Sequence, residues 1–139
     1  MIDWRRDLIA AAEQARSQAY APYSGIAVGA ALRTASGAVY GGANMENASY
    51  SAGFCAERAA FVRAFFAGER EFAAIAIIGG PLGKPASEYF YPCGLCRQWM
   101  VEYCNPEFVV LAAQNTKDYK EAALSQLLPL SFGPGHLKK

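Results

Sequence analysis

Two short segments, Cys55-Ala56-Glu57-Arg58 and Pro92-Cys93-Gly94-Leu95-Cys96-Arg97-Gln98, gather the residue types that bind metals and move protons. Cys93 and Cys96 are three residues apart, so on a helix both sulfurs face one side and can grip a single ion. Cys55 supplies a third thiolate from another part of the chain. Three thiolates suit zinc, and a site with three protein ligands keeps its fourth tetrahedral position for water, which separates a catalytic zinc from a closed structural one. Both segments fall at predicted helix starts, where the positive end of the helix favours the thiolate a metal requires.

Three thiolates and one zinc ion sum to a charge of about −1, too electron-rich to acidify water well, so something must draw charge back. Arg58 and the two helix N-termini are placed to do so, with Gln98 or Arg97 expected to hold Arg58 or the second helix in position. Glu57, two residues after Cys55, can reach the open position without ligating. A partly desolvated Glu there is suited to take a proton from water and pass it on. Competing readings fit less of the sequence. Redox chemistry explains a C-x-x-C pair but not Cys55-Ala56-Glu57-Arg58. A structural zinc needs a fourth ligand, and the spare cysteine, Cys104, lies too far along its helix; it reads as a small buried apolar group. His136 falls in the C-terminal tail and reads as a surface residue.

The elements that must carry these residues follow from periodicity. Apolar positions Trp4, Leu8, Ala12, Ala15 and Ala19 predict a helix over 3–19, N-capped by Asp3. Residues 26–34 and 38–41 flank a turn at Ala35-Ser36-Gly37 and predict a hairpin. Residues 44–53, rich in Asn, Ser and Gly, predict a binding loop. A second helix is expected from near Cys55 to Gly68, and a doubly buried strand over 73–78. A long connection should then fill 79–91, and a third helix starts with Pro92 at its first position and runs to about Tyr103. A strand over 108–113, a short strand over 119–122, a short helix over 124–128 and a mobile tail from about 133 to 139 complete the reading. This order predicts a single three-layer α/β/α domain with a mixed sheet of roughly five strands.

The bulk numbers narrow the function class. A chain of 139 residues holds one domain, with 53% hydrophobic residues to form its core. A net charge of +1 with dispersed basic residues argues against binding extended nucleic acid. No apolar run approaches the ~18 residues of a membrane span, and the N-terminus lacks a signal-peptide layout, so a cytoplasmic protein is expected. In that compartment four cysteines point to metal binding or catalysis before disulfides.

The two segments, taken with Tyr20-Ala21-Pro22-Tyr23-Ser24, Val28-Gly29-Ala30-Ala31-Leu32, Asn44-Met45-Glu46-Asn47-Ala48-Ser49-Tyr50 and Leu127-Leu128-Pro129, resemble the small homotetrameric zinc-dependent cytidine deaminases from about Leu8 to Leu137. The resemblance implies hydrolytic deamination of free cytidine and deoxycytidine in pyrimidine salvage, with one Zn2+ per chain on Cys55, Cys93 and Cys96 and with Glu57 catalytic. It implies ribose binding by Asn44 and Glu46, a backbone N–H at Ala56 for the base carbonyl, and a homotetramer. Tyr50 and Phe132 would then line or cap a neighbouring subunit's pocket, a plain core Phe being the alternative for Phe132. The family commonly has Phe where this chain has Ile26. That departure leaves room for a modified cytosine nucleoside or a nucleoside antibiotic as substrate. A zinc-bearing nucleoside-binding protein without turnover is the non-enzymatic alternative, and Glu57 argues against it.

Overall fold

The computed structural model, which describes residues 3–138, is built on a mixed five-stranded sheet. Strands β1 (Ile26–Thr34), β2 (Val39–Ala43), β3 (Phe72–Pro81), β4 (Val109–Ala113) and β5 (Tyr119–Ala123) lie in the order β2-β1-β3-β4-β5. β3 and β4 run parallel, and the other three pairings are antiparallel. A parallel pair needs a crossover, and helix α3 (Gly94–Tyr103) provides it between β3 and β4. The remaining helices are α1 (Trp4–Arg16), α2 (Ala56–Phe66) and the short α4 (Leu124–Leu127), with single 3-10 turns at Tyr50–Ala52 and Pro134–His136.

The pleat sorts side chains onto two apolar faces. Ala30, Leu32, Ile75, Ile77 and Val110 pack with Ala60, Phe61 and Ala64 of α2 and Met100 of α3. Ala31, Ala74, Ala76, Ile78, Leu111 and Ala113 pack with Leu8, Ile9 and Ala12 of α1. The result is the expected three-layer α/β/α arrangement, with β3 buried on both faces at its centre. Asp3 caps α1 as its sequence position suggested, its carboxylate accepting from the Arg5 N–H at 3.1 Å.

Several boundaries differ from the sequence reading, each for a local reason. α1 stops at Arg16 and not at Ala19, where the Ser17 hydroxyl donates to the Gln14 carbonyl at 2.7 Å and turns the chain. β2 reaches Ala43 through Gly41 and Gly42, because its pairing with β1 continues to Gly29. β3 runs on to Pro81 through Gly79 and Gly80, residues of low strand propensity, because Ile26, Ala27 and Val28 pair with them. The buried Arg16 guanidinium fastens that end, donating to the carbonyls of Ala27 and Pro81 at 2.9 Å each. Pro92 is not the first residue of α3: Cys93 is the extended N-cap and the helix begins at Gly94. The C-terminal segment carries an ordered turn, with the Gly133 N–H donating to His136 Nδ1 at 3.0 Å and Phe132 stacked on the His136 ring.

Candidate active site

Cysteine occupies the N-cap of both α2 and α3, an unusual choice where Ser, Thr, Asp or Asn is preferred. Each cap carbonyl accepts the first intrahelical hydrogen bond, from Ala59 to Cys55 at 3.1 Å and from Arg97 to Cys93 at 2.9 Å. Neither thiol caps its own helix, so both are left for other partners. The sheet sets how closely α2 approaches: a Cβ at Gly42 would lie 2.5 Å from the carbonyl oxygen of Ala56 and from the nitrogen of Ala60. Only glycine lets the first turn of α2 rest on β2 there. α3 is fixed at its start by Arg97, which donates to the carbonyls of Pro92 and Leu127 at 2.7 Å each.

These constraints bring the Sγ atoms of Cys55, Cys93 and Cys96 within 4.8 Å of one another, close enough for one ion with bonds of about 2.3 Å to each sulfur. Cys96 is buried behind, while Cys55 and Cys93 face a cavity of about 650 Å³. The donor set and the open side together fit a zinc ion with a solvent-facing fourth position. The electrostatics agree. Cys55 is held well below the ordinary thiol range by hydrogen bonds from the Cys96 and Cys93 thiols and by the Arg58 charge, against the opposing effect of burial. Cys96 moves up as the buried donor of that pair. Cys104, the C-cap of α3, stands apart and is pushed up to about 12 by burial alone.

Glu57 also faces the cavity and is only 6% exposed. Burial pushes its carboxyl up to about 7, with the Cys55 charge adding in the same direction and its own backbone N–H and Arg58 opposing. It therefore exchanges protons near neutrality, the range in which a general acid–base works best. The Arg58 guanidinium donates to the Gly53 carbonyl at 3.0 Å and lies over the Phe54 ring at 4.7 Å and the Trp99 ring at 5.9 Å. Its Nε is buried near the thiols and has no hydrogen-bond partner among the described residues.

Asn44 and Glu46 stand on the cavity wall, and both are locked by the backbone. Asn44 Oδ1 accepts from the Val28 N–H at 2.8 Å, and Nδ2 donates to the Ile26 carbonyl at 2.8 Å. One N–H and one lone pair of the amide remain for a ligand. Glu46 accepts from the N–H groups of Tyr23 and Ser24 at 3.0 and 3.1 Å and from the Ser24 hydroxyl, which keeps its carboxylate below the ordinary range and ionised. Ala56 opens α2 at the cavity, among the N–H groups that have no partner within the helix.

Gln98 does not hold Arg58; its amide donates to the Phe132 carbonyl at 2.9 Å and ties the C-terminal segment to α3. Arg97 likewise holds α3 and not Arg58. Phe132 lies outside its own chain's cavity, 58% exposed, whereas Tyr50 sits on that cavity's rim at 79% exposure. The sequence reading missed the apolar wall made by Val28, Ile77, Phe90 and Tyr91, and the support that Ser24 gives Glu46. The only signal for Ser24 was its place in the Tyr20–Ser24 stretch; Phe90 and Tyr91 fell in a segment read as connection.

Comparison with known proteins agrees with this geometry. The family model for the cytidine and deoxycytidylate deaminase zinc-binding region matches residues 2–112. The cytidine deaminase of Sporosarcina psychrophila is 44% identical over 125 residues, covering 90% of this chain and 88% of its own. That of Halalkalibacterium halodurans is 44% identical, covering 92% and 93%. The crystal structure of cytidine deaminase from Burkholderia pseudomallei superposes with a TM-score of 0.81 at 46% identity, covering 91% of this chain and 97% of its own. Near-full-length matches to a family defined by its zinc-binding region, in a chain whose own thiols converge to hold one, leave a single assignment: the chain belongs to the zinc-dependent cytidine and deoxycytidylate deaminase family.

Proposed function

We propose that this protein is a cytidine deaminase, replacing the C4 amino group of free cytidine and deoxycytidine with oxygen from water to give uridine or deoxyuridine and ammonia. One observation carries the reading: the buried Glu57 carboxyl, raised by burial, shares a cavity with a three-thiol metal site. When bound by Cys55, Cys93 and Cys96, zinc supplies the Lewis acidity that makes water nucleophilic near neutral pH. Glu57 takes one proton from the attacking water and delivers it to N3 of the base. It then takes the second from the new C4 hydroxyl and delivers it to the departing amine, which leaves as ammonia as the C4 carbonyl forms. The Ala56 N–H holds the C2 carbonyl, and Asn44 and Glu46 hold the ribose hydroxyls. Arg58 offsets the negative charge of the thiolates.

The matched family includes enzymes for nucleosides and for deoxycytidylate, and the cavity favours the nucleoside. Arg58 is the one cation among its described lining residues, and its guanidinium is already engaged by Gly53, Phe54 and Trp99. The ionised Glu46 repels a phosphate. Following ultraviolet absorbance with zinc-loaded protein tests this: cytidine and deoxycytidine should be consumed and deoxycytidylate spared. Faster turnover of the nucleotide would overturn the assignment.

Assembly and location extend the reading. No helix among the described residues is long and apolar enough to cross a membrane. A site of three reduced thiols suits the cytoplasm, where thiols are kept reduced. Phe61 is consumed by the monomer's core, but Phe66 on the same helix is 96% exposed, and Met45, Val62, Leu130 and Leu137 are also exposed. These exposed side chains, taken with the family resemblance, support a homotetramer in which Phe132 or Tyr50 completes a neighbour's cavity.

A further inference from the structure

The sheet side of the cavity contains a position with no side chain. Val28 and Gly79 are directly opposed across β1 and β3, so they share a face, and Ile77 lies two residues before Gly79 on that same face. Val28 and Ile77 both line the cavity. The Phe90 ring seats on the bare backbone between them: a Cβ at Gly79 would lie 2.4 Å from Phe90 Cδ2, 2.8 Å from Cε2 and 3.1 Å from Cγ. Any other residue at 79 would displace the ring. Phe90 is part-buried against the core and lines the cavity with its remaining surface. Its segment ends at the ligand Cys93, so the ring and the metal site are carried on one stretch of chain.

Resting on the deaminase reading above, we propose that Phe90, seated on Gly79, is a substrate-binding residue that forms the aromatic wall of the base subsite. β1 offers only aliphatic Ile26 and Val28 there. The β3–α3 connection therefore delivers the flat, polarisable surface against which a pyrimidine ring is held. Such a wall acts on the base and not on the sugar, and it contributes to binding without moving protons.

Steady-state kinetics on cytidine and deoxycytidine, with zinc content measured for every variant, test this. Phe90→Ala should raise KM about tenfold for both nucleosides by the same factor, with kcat within about threefold of wild type, since aromatic contacts add to plain burial. Inhibition by the product uridine should weaken in parallel. Gly79→Ala should also raise KM, because its methyl drives the ring into the cavity. The double variant should be no worse than Phe90→Ala, because the clash has lost its partner. Phe90→Leu, which keeps apolar volume, should fall between wild type and Phe90→Ala, and it keeps the test decisive if the alanine variant loses zinc. A KM within twofold of wild type in Phe90→Leu and Phe90→Ala, multiplicative losses in the double variant, or a fall confined to kcat would each overturn the proposal. Fully zinc-loaded wild type that leaves cytidine unchanged would defeat the deaminase reading and this inference with it, whereas normal turnover with an unmoved KM would defeat this inference alone.

Discussion

Glu57 and Cys104 show how burial gives two groups opposite uses. Burial holds the Glu57 carboxyl at about 7 beside the metal site, where a proton can be gained and lost in turn. Glu57→Gln preserves size and hydrogen bonding but cannot carry a proton, so turnover should fall by at least about 10²–10⁴-fold while zinc content stays at one per chain. A variant retaining more than about a tenth of wild-type rate would remove Glu57 from the mechanism. Cys104 is pushed from near 9 to about 12 by burial with no charged partner. A raised pKa keeps the group protonated, and reactive thiolate appears only as pH climbs towards that value. At pH 8 the native protein should hold at least about tenfold less Cys104 thiolate than the unfolded chain, and alkylation of Cys104 should slow accordingly. Equal rates in native and denatured protein, resolved by peptide mass spectrometry, would count against that burial. Glu46→Ala should act differently from both, raising KM for cytidine while kcat changes little. An unchanged KM would take the ribose role from Glu46.

At the scale of elements, the site depends on how closely two helix mouths can be brought together, and part of this was legible in the sequence. Cysteine spacing and the helix starts point to Cys55, Cys93 and Cys96, whose thiols the fold brings together, because ligand spacing and helical periodicity are local properties. The pairing that extends β3 through Gly79, Gly80 and Pro81 was not legible. Those residues have turn chemistry locally and become strand only because β1 lies alongside. The partners of Gln98 were hidden for a related reason: Phe132 lies 34 residues away in sequence. Gly42 is another long-range case, looking like a weak strand position while controlling the seat of α2. Gly42→Ala should therefore push the first turn of α2 away from β2, lowering stability by about 1–3 kcal/mol and weakening zinc retention. Thermal unfolding with and without chelator reads both effects. Wild-type melting together with wild-type zinc content would show that the contact is soft.

At the scale of the molecule, the apolar residues divide between those the three layers absorb and those they leave outside. Phe61, Phe72 and Phe108 are buried, and two helical layers cover the sheet, so the domain needs no partner to close its core. Yet Phe66 protrudes from α2, and Leu130 and Leu137 flank Phe132 in a segment that Gln98 ties to α3. Holding that segment in place presents Phe132 outward at little further cost in chain entropy, as a residue serving a neighbour requires. Tyr50, on the rim of its own cavity beside Tyr23, marks where such a neighbour would meet the substrate entrance. If subunits complete one another's sites, activity must follow assembly. Light scattering at micromolar concentration should give about four times the 15.0 kDa chain mass. Phe132→Ala should raise KM for cytidine without emptying the zinc site, and Phe66→Asp should weaken assembly and lower specific activity on dilution, because mass action then favours free subunits. A monodisperse monomer with full activity would defeat both the tetramer and the shared site. A tetramer in which Phe132→Ala leaves KM unchanged would keep the assembly and remove only the shared residue.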